Sequence, residues 1–180
     1  MESRKLLCHS PNPTLDWRNN TLRSLAALAF GNARLTNIPK QIVLPTEMAQ
    51  LCATLWQNTI QSNNEWGALL LTANEADVFY CLQRGAEHEM VWNTKDVASG
   101  GMVVVMDVHT HPNGTWPSAT DINELFRCSH MAELVVAGET ETFLILKDDR
   151  GKEPTCWMYH SSNNRGYYLV SPEEVEKVYC

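Results

Sequence analysis

The segment Met102–Val108 (MVVVMDV) constrains this chain more tightly than any other. Its β-branched residues favour pleated backbone and predict a central strand. The strand runs directly into His109-Thr110-His111-Pro112. Side chains alternate between faces along a strand, so His109 and His111 present both imidazoles to one side. Pro112 has no N–H to donate and ends the ladder. A loop over Asn113–Pro117 then turns the chain back, and a helix predicted over Asp121–His130 carries a carboxylate in its first turn. Two imidazoles and one carboxylate leave the fourth corner of a tetrahedron open, which is the donor set of a catalytic zinc site. A zinc ion there would lower the pKa of a bound water to about 7 and yield a nucleophile at neutral pH.

The same residues have plainer readings. Ser118 and Asp121 match the S-x-x-D pattern of a capping box, which needs no metal. A helix start can be capped and still aim its carboxylate at an ion, so the two readings are compatible. Trp116, beside the site, either walls a substrate groove or packs beneath the loop. Cys128 and His130 are close in sequence but face different ways along a helix, and no second metal site is expected from them. His9, His88 and His160 have no evident partners.

Elsewhere, Ser10–Pro13 is turn-rich, and Asp16–Phe30 predicts a helix stopped by Gly31 and Asn32. Residues 1–40 read as an N-terminal extension that wraps the domain or carries a partner site, and residues 41–180 as one domain. Gln41–Leu44 is a short strand. A helix starts at Pro45 and Thr46 and runs to Gln61, with Met48, Leu51, Cys52, Leu55 and Trp56 on one core-packing face. Glu65–Thr72 and Val78–Gln83 predict a hairpin about a turn at Asn74–Asp77. Arg84–Gly101 is irregular, with a short strand expected near Met90–Trp92. Glu133–Ala137 and Thr142–Leu146 are two more strands, Asp148–Gly151 a turn and Cys156–Tyr159 a last strand. Ser171 opens a terminal helix with Pro172 at its first position. Strands mixed with helices in this order give an α/β class.

Composition narrows the function. Hydrophobic residues make up 44% of 180, enough for one domain with a sizeable core. The net charge is -7 with no cluster of Lys and Arg, which argues against nucleic-acid binding by phosphate neutralisation. No apolar run approaches the roughly 18 residues that span a membrane. Cys8, Cys52, Cys81, Cys128, Cys156 and Cys180 are scattered without a C-x-x-C pair, as expected of reduced, mostly buried thiols in a cytoplasmic protein.

One further residue completes a pattern. Glu65, in Asn64-Glu65-Trp66-Gly67-Ala68-Leu69-Leu70, precedes His109-Thr110-His111-Pro112 and Ser118-x-x-Asp121. The combination resembles the JAMM (MPN-plus) metalloprotease motif: a glutamate, then at a distance H-[ST]-H-P, then S-x-x-D. The resemblance spans Gln41 to Leu146, including the order strand, helix, hairpin, metal-bearing strand, helix, hairpin. It implies a cytidine-deaminase-like JAB/MPN core, a curved mixed β-sheet with flanking helices. It implies Zn2+ held by His109, His111 and Asp121. Glu65 would be the proton shuttle between water and leaving amine, and Ser118 a hydrogen-bond donor to the developing oxyanion. The chain departs from the family in its loop, where Pro112 to Pro117 supply six residues, one fewer than usual. The long insertions that select ubiquitin linkages in some relatives are also missing, which implies a compact core enzyme with broader or different substrate choice.

The activity so implied is cleavage of the amide that joins the C-terminus of ubiquitin, or a ubiquitin-like modifier, to an amine. The tail of such a protein substrate would add as a strand beside the groove. A peptidase acting on a sulfur-carrier protein, or on a phage-tail or cell-wall peptide, is the alternative within hydrolysis. A non-catalytic MPN scaffold subunit is the alternative outside it. Scaffolds of that kind commonly lack the ligands, whereas Glu65, His109, His111, Ser118 and Asp121 are all present. The sequence leaves oligomeric state open.

Overall fold

The computed structural model describes residues 3–6, 17, 20–31, 33–35, 37–74, 77–92, 100–148 and 154–179. These form nine strands: β1 (Ser3–Leu6), β2 (Gln41–Val43), β3 (Trp66–Thr72), β4 (Val78–Arg84), β5 (Val103–Thr110), β6 (Ala132–Val136), β7 (Thr142–Asp148), β8 (Thr155–Ser161) and β9 (Gly166–Leu169). Four helices accompany them: α1 (Thr21–Ala29), α2 (Thr46–Ser62), α3 (Ala119–Arg127) and α4 (Pro172–Tyr179). One mixed sheet runs β1-β4-β3-β5-β6-β7-β8-β9-β2. Its parallel pair is β5 with β6, and α3 is the helix in their crossover, since parallel neighbours cannot be joined by a tight turn.

Alternation along the central strands divides the sheet into two faces. Ala68 and Leu70 of β3, Met106 and Val108 of β5, Leu134 and Val136 of β6, and Leu144 and Leu146 of β7 share a core with α1 and α2. Val135, Phe143 and Ile145 point the other way, toward Leu125 of α3, with Val175 and Tyr179 of α4 packed alongside. Fully burying a residue such as Leu55 or Met48, both completely enclosed, is worth about 1.5–3 kcal/mol each. Gly67, Asp107, His109 and Glu133 occupy the alternate positions, so they lie on the α3 face.

Several expectations are met with shifted boundaries, and others need correction. The central strand continues past Val108 through His109 and Thr110. The helix expected at Asp16–Phe30 begins only at Thr21, where the Asn20 side chain accepts the Arg23 N–H as an N-cap. Leu22, Leu25, Ala26 and Leu28 of that helix pack into the same core as α2. Met90–Trp92 is not a strand. The helix expected over Asp121–His130 is Ala119–Arg127, so Cys128 and His130 lie beyond its end. Cys156–Tyr159 belongs to β8, but it is not last: a turn with Asn164 left-handed (φ 57°) leads into β9, which carries β2 at the sheet edge. The turn expected at Asp148–Gly151 lies outside the described residues apart from Asp148, the end of β7.

Candidate metal centre

Register brings the chemistry together. Gly67 on β3 sits opposite His109 on β5, and Ala68 opposite Val108. Carried two residues further, the same register sets Glu65 opposite His111. Glu65 is fixed from the other side as well: its N–H donates to the Ala86 carbonyl and its carbonyl accepts the Gly85 N–H, both at 2.8 Å. Between the two histidines, Thr110 points to the opposite face. Its hydroxyl lies 2.6 Å from that of Thr59 on α2 and accepts the Trp66 N–H at 2.9 Å, which ties β5 to α2 and β3 at this level. At Gly67 a Cβ would come within 2.5 Å of the Trp92 ring and 2.6 Å of the Val108 carbonyl. A glycine is required there for Trp92 to lie over the strand.

Asp121 reaches the histidines from the first turn of α3. Ser118 is the N-cap: its hydroxyl accepts the Asp121 N–H at 3.1 Å, while Asp121 Oδ2 accepts the Ser118 N–H. The same carboxylate faces both imidazoles, with Oδ2 at 3.3 Å from His111 Nε2 and Oδ1 at 3.6 Å from His109 Nε2. The two Nε2 atoms are 3.1 Å apart. Capping and convergence thus coexist in one side chain. Metal–ligand bonds of about 2.0–2.2 Å at tetrahedral angles separate donors by about 3.3–3.6 Å. The two imidazole nitrogens, at 3.1 Å, and the carboxylate oxygen facing each of them, at 3.3 Å (Oδ2) and 3.6 Å (Oδ1), are close to that spacing, and one donor atom from each residue lies within 4.8 Å of the others. The three residues could hold a metal ion, and no other group of three His, Cys, Asp or Glu donors this close occurs among the described residues.

The proton affinities follow from burial and charge. Burial pulls His109 down, below the ordinary histidine value. For His111 burial acts the same way, but the hydrogen bond and charge of Asp121, with Glu65 beyond, outweigh it and lift the ring. Burial alone would raise Asp121; the hydrogen bond with His111, the charge of His109 and the Ser118 contacts bring it down to about 2. Glu65 goes the other way, pushed up to about 7 chiefly by burial and only partly offset by His111. Glu133 is driven up to about 10 by burial, then by Asp107 and Asp121.

Two cavities flank the cluster. One of about 490 Å³ lies on the His109 side and is lined in part by Glu65, Trp92, Asp107, Asp121 and Glu133. Another of about 280 Å³ lies on the His111 side and is lined in part by Glu65, Pro112, Asn113, Ser118 and Asp121. Glu65 and Asp121 face both. Ser118 is exposed at the second, and since its oxygen already accepts from Asp121, its own proton remains to donate outward.

All five residues singled out from sequence thus meet at one place. Trp116 does not line either cavity; it packs on Phe143 with ring centroids 4.7 Å apart, beneath the loop. His88 lines both cavities and lies 3.7 Å from Glu87, and His160 is 3.1 Å from Glu141, so both have partners. His9 lies outside the described residues. Of the described cysteines, all unpaired, Cys52 is buried, while Cys81, Cys128 and Cys156 are half-buried, less enclosed than expected. Asp107 and Glu133 also line the larger cavity, and no sequence motif marks them. Their signal was an acid inside an apolar strand, with Asp107 two residues before His109 and so on the same face. Trp92 carried no such signal.

Comparison of the chain with protein-family models, with curated proteins and with solved structures returned no match.

Proposed function

We propose that this chain is a zinc-dependent peptidase or isopeptidase that removes ubiquitin or a ubiquitin-like modifier from an amine. The observation that carries the reading is the placement of Glu65, with a pKa raised to about 7, on the same cavities as the His109–His111–Asp121 cluster. The likeness of these residues to the JAMM motif supports it further. His109, His111 and Asp121 hold the ion, which when bound supplies Lewis acidity for a carbonyl and lowers the pKa of water.

The chain's own groups do the rest. Glu65 accepts a proton from the attacking water and returns it to the departing amine. A carboxyl near neutrality can do both, because neither transfer is far uphill. Ser118 donates its hydroxyl proton to the oxyanion that develops on the scissile carbonyl, an effect worth about 3 kcal/mol in hydrolases. Asp121, capped by Ser118, couples the position of that donor to the metal cluster. Trp92 walls the larger cavity on the His109 side.

The test is a panel of ubiquitin and ubiquitin-like fusions assayed with and without chelator, for the wild type and Glu65→Gln. The expected outcome is chelator-sensitive cleavage, with the variant folded and metal-loaded but at least about 100-fold slower. Undiminished turnover in Glu65→Gln, or indifference to chelation in a protein that cleaves, would contradict the proposal.

A further inference from the structure

For a histidine to ligate through Nε2, that atom must carry a lone pair, so in the neutral ring the proton sits on Nδ1. Metal-binding histidines almost always donate this second N–H to a fixed acceptor, which sets tautomer and ring orientation. His111 has such an acceptor. Its Nδ1 lies 3.2 Å from the Thr115 carbonyl oxygen and 3.2 Å from the Thr115 hydroxyl. A carbonyl only accepts, so with the Nδ1–H of His111 given to Thr115 the neutral ring would present its Nε2 lone pair to an ion, in place of the Nε2–H that the ring shares with Asp121 when protonated.

His109 is held differently. Its Nδ1 points toward the carboxylate of Glu133, with Oε1 at 3.7 Å. That separation is beyond a hydrogen bond. Glu133 is 2% exposed, and its Oε1 has no hydrogen-bond partner. A buried acceptor left without a donor costs about 1–3 kcal/mol and calls for an explanation. Parallel pairing of Asp107 with Glu133 fixes the carboxylate on the site face, one alternate position behind His109. Two unmet requirements thus face each other: a ring that needs an acceptor at Nδ1, and a buried oxygen that needs a donor. In either protonation state Glu133 keeps an oxygen able to accept.

We infer that Glu133 is the positioning residue for His109, accepting its Nδ1–H and so presenting the Nε2 lone pair to the metal. The inference rests on the reading of His109, His111 and Asp121 as a metal centre. Glu133 touches neither substrate nor ion; it acts through the ring.

Zinc dissociation constants of the full chain, measured by chelator competition for wild type, Glu133→Gln and Glu133→Ala, test the assignment. Imidazole 1H–15N spectra of the zinc-loaded forms and thermal unfolding of the metal-free forms accompany them. Glu133→Ala is expected to weaken zinc binding about 10- to 100-fold and to expose the His109 Nδ1–H to rapid exchange. Glu133→Gln, which retains an accepting oxygen, should recover most of the affinity and keep that proton protected. A role in packing alone would lower the metal-free melting temperature without moving the His109 proton, and that result would overturn the assignment. So would unchanged zinc affinity in Glu133→Ala, or equal losses in both variants. If the alanine variant does not fold, the proton signal in Glu133→Gln decides: unprotected overturns the assignment, protected supports it. A wild-type chain that takes up no zinc would instead sink the metal-centre reading itself, and this assignment with it.

Discussion

Glu65 works from a carboxyl whose proton affinity is set by two opposed forces. Burial raises it, and the imidazole of His111 lowers it, leaving it at about 7. As the base of the proposed reaction it would have to be ionised, and above its pKa it is. The rate constant kcat/KM should therefore rise with pH along a limb centred at or below about 7, because a divalent cation held beside it favours the ionised form. A pH–rate profile measured below neutrality checks this. A rate that falls as pH rises through that window would mean that the protonated carboxyl is what the free enzyme needs. Asp121 differs in kind: its neighbours hold it at about 2, so it stays an anion, able to ligate a cation, throughout the range in which Glu65 titrates.

At the scale of elements, α3 matters because it crosses between the parallel strands and delivers Asp121. Its far end is held by a residue that the periodicity of the sequence did not single out. Lys147 on β7 is fully buried, and its Nζ donates to the carbonyls of Leu125 and Cys128 at the helix C-terminus, where a cation is favoured. Lys147→Met would strip those carbonyls of their donor and is expected to cost about 1–3 kcal/mol of stability, read by thermal unfolding. An unchanged melting temperature would show that water replaces the cap. Near the other end, the Tyr179 hydroxyl of α4 donates to the Pro117 carbonyl, pinning the loop between His111 and Ser118.

These elements also show what the sequence could convey. β5 and the hairpin β3–β4 are legible because short, nearly continuous β-branched and apolar runs mark buried strands, and α2 because its buried face repeats at helical spacing. β9 was not, since four residues with a single fully buried side chain, Tyr167, offer no alternation to read. Trp116 and Trp92 were indistinguishable in sequence. Which one packs under the loop and which one lies over Gly67 depends on the register of strands distant along the chain.

For the whole molecule, the order of strands determines why a polar site can exist within an apolar fold. β5 is flanked by β3 and β6, with α1 and α2 closing one face, so the ionisable residues of these strands, Asp107, His109 and Glu133, collect on the α3 face. There Glu65, His109, His111 and Glu133, along with Asp107, are all nearly enclosed. Concentrating carboxylates and imidazoles in a buried place is unfavourable without a counter-charge. A metal that binds only the folded chain should therefore stabilise it, by about 2.7 kcal/mol at a hundredfold excess over its dissociation constant. The melting temperature should accordingly rise with zinc concentration; a melting curve insensitive to zinc would contradict a folded-state site.

The most direct test of convergence on one ion is zinc content per chain in the wild type and in Asp121→Asn. That substitution keeps an oxygen to accept the Ser118 N–H but removes the ligand charge. The account predicts one equivalent of zinc in the wild type, and loss of zinc with the fold intact in the variant. Full occupancy in Asp121→Asn, or a wild type that binds none, would contradict it.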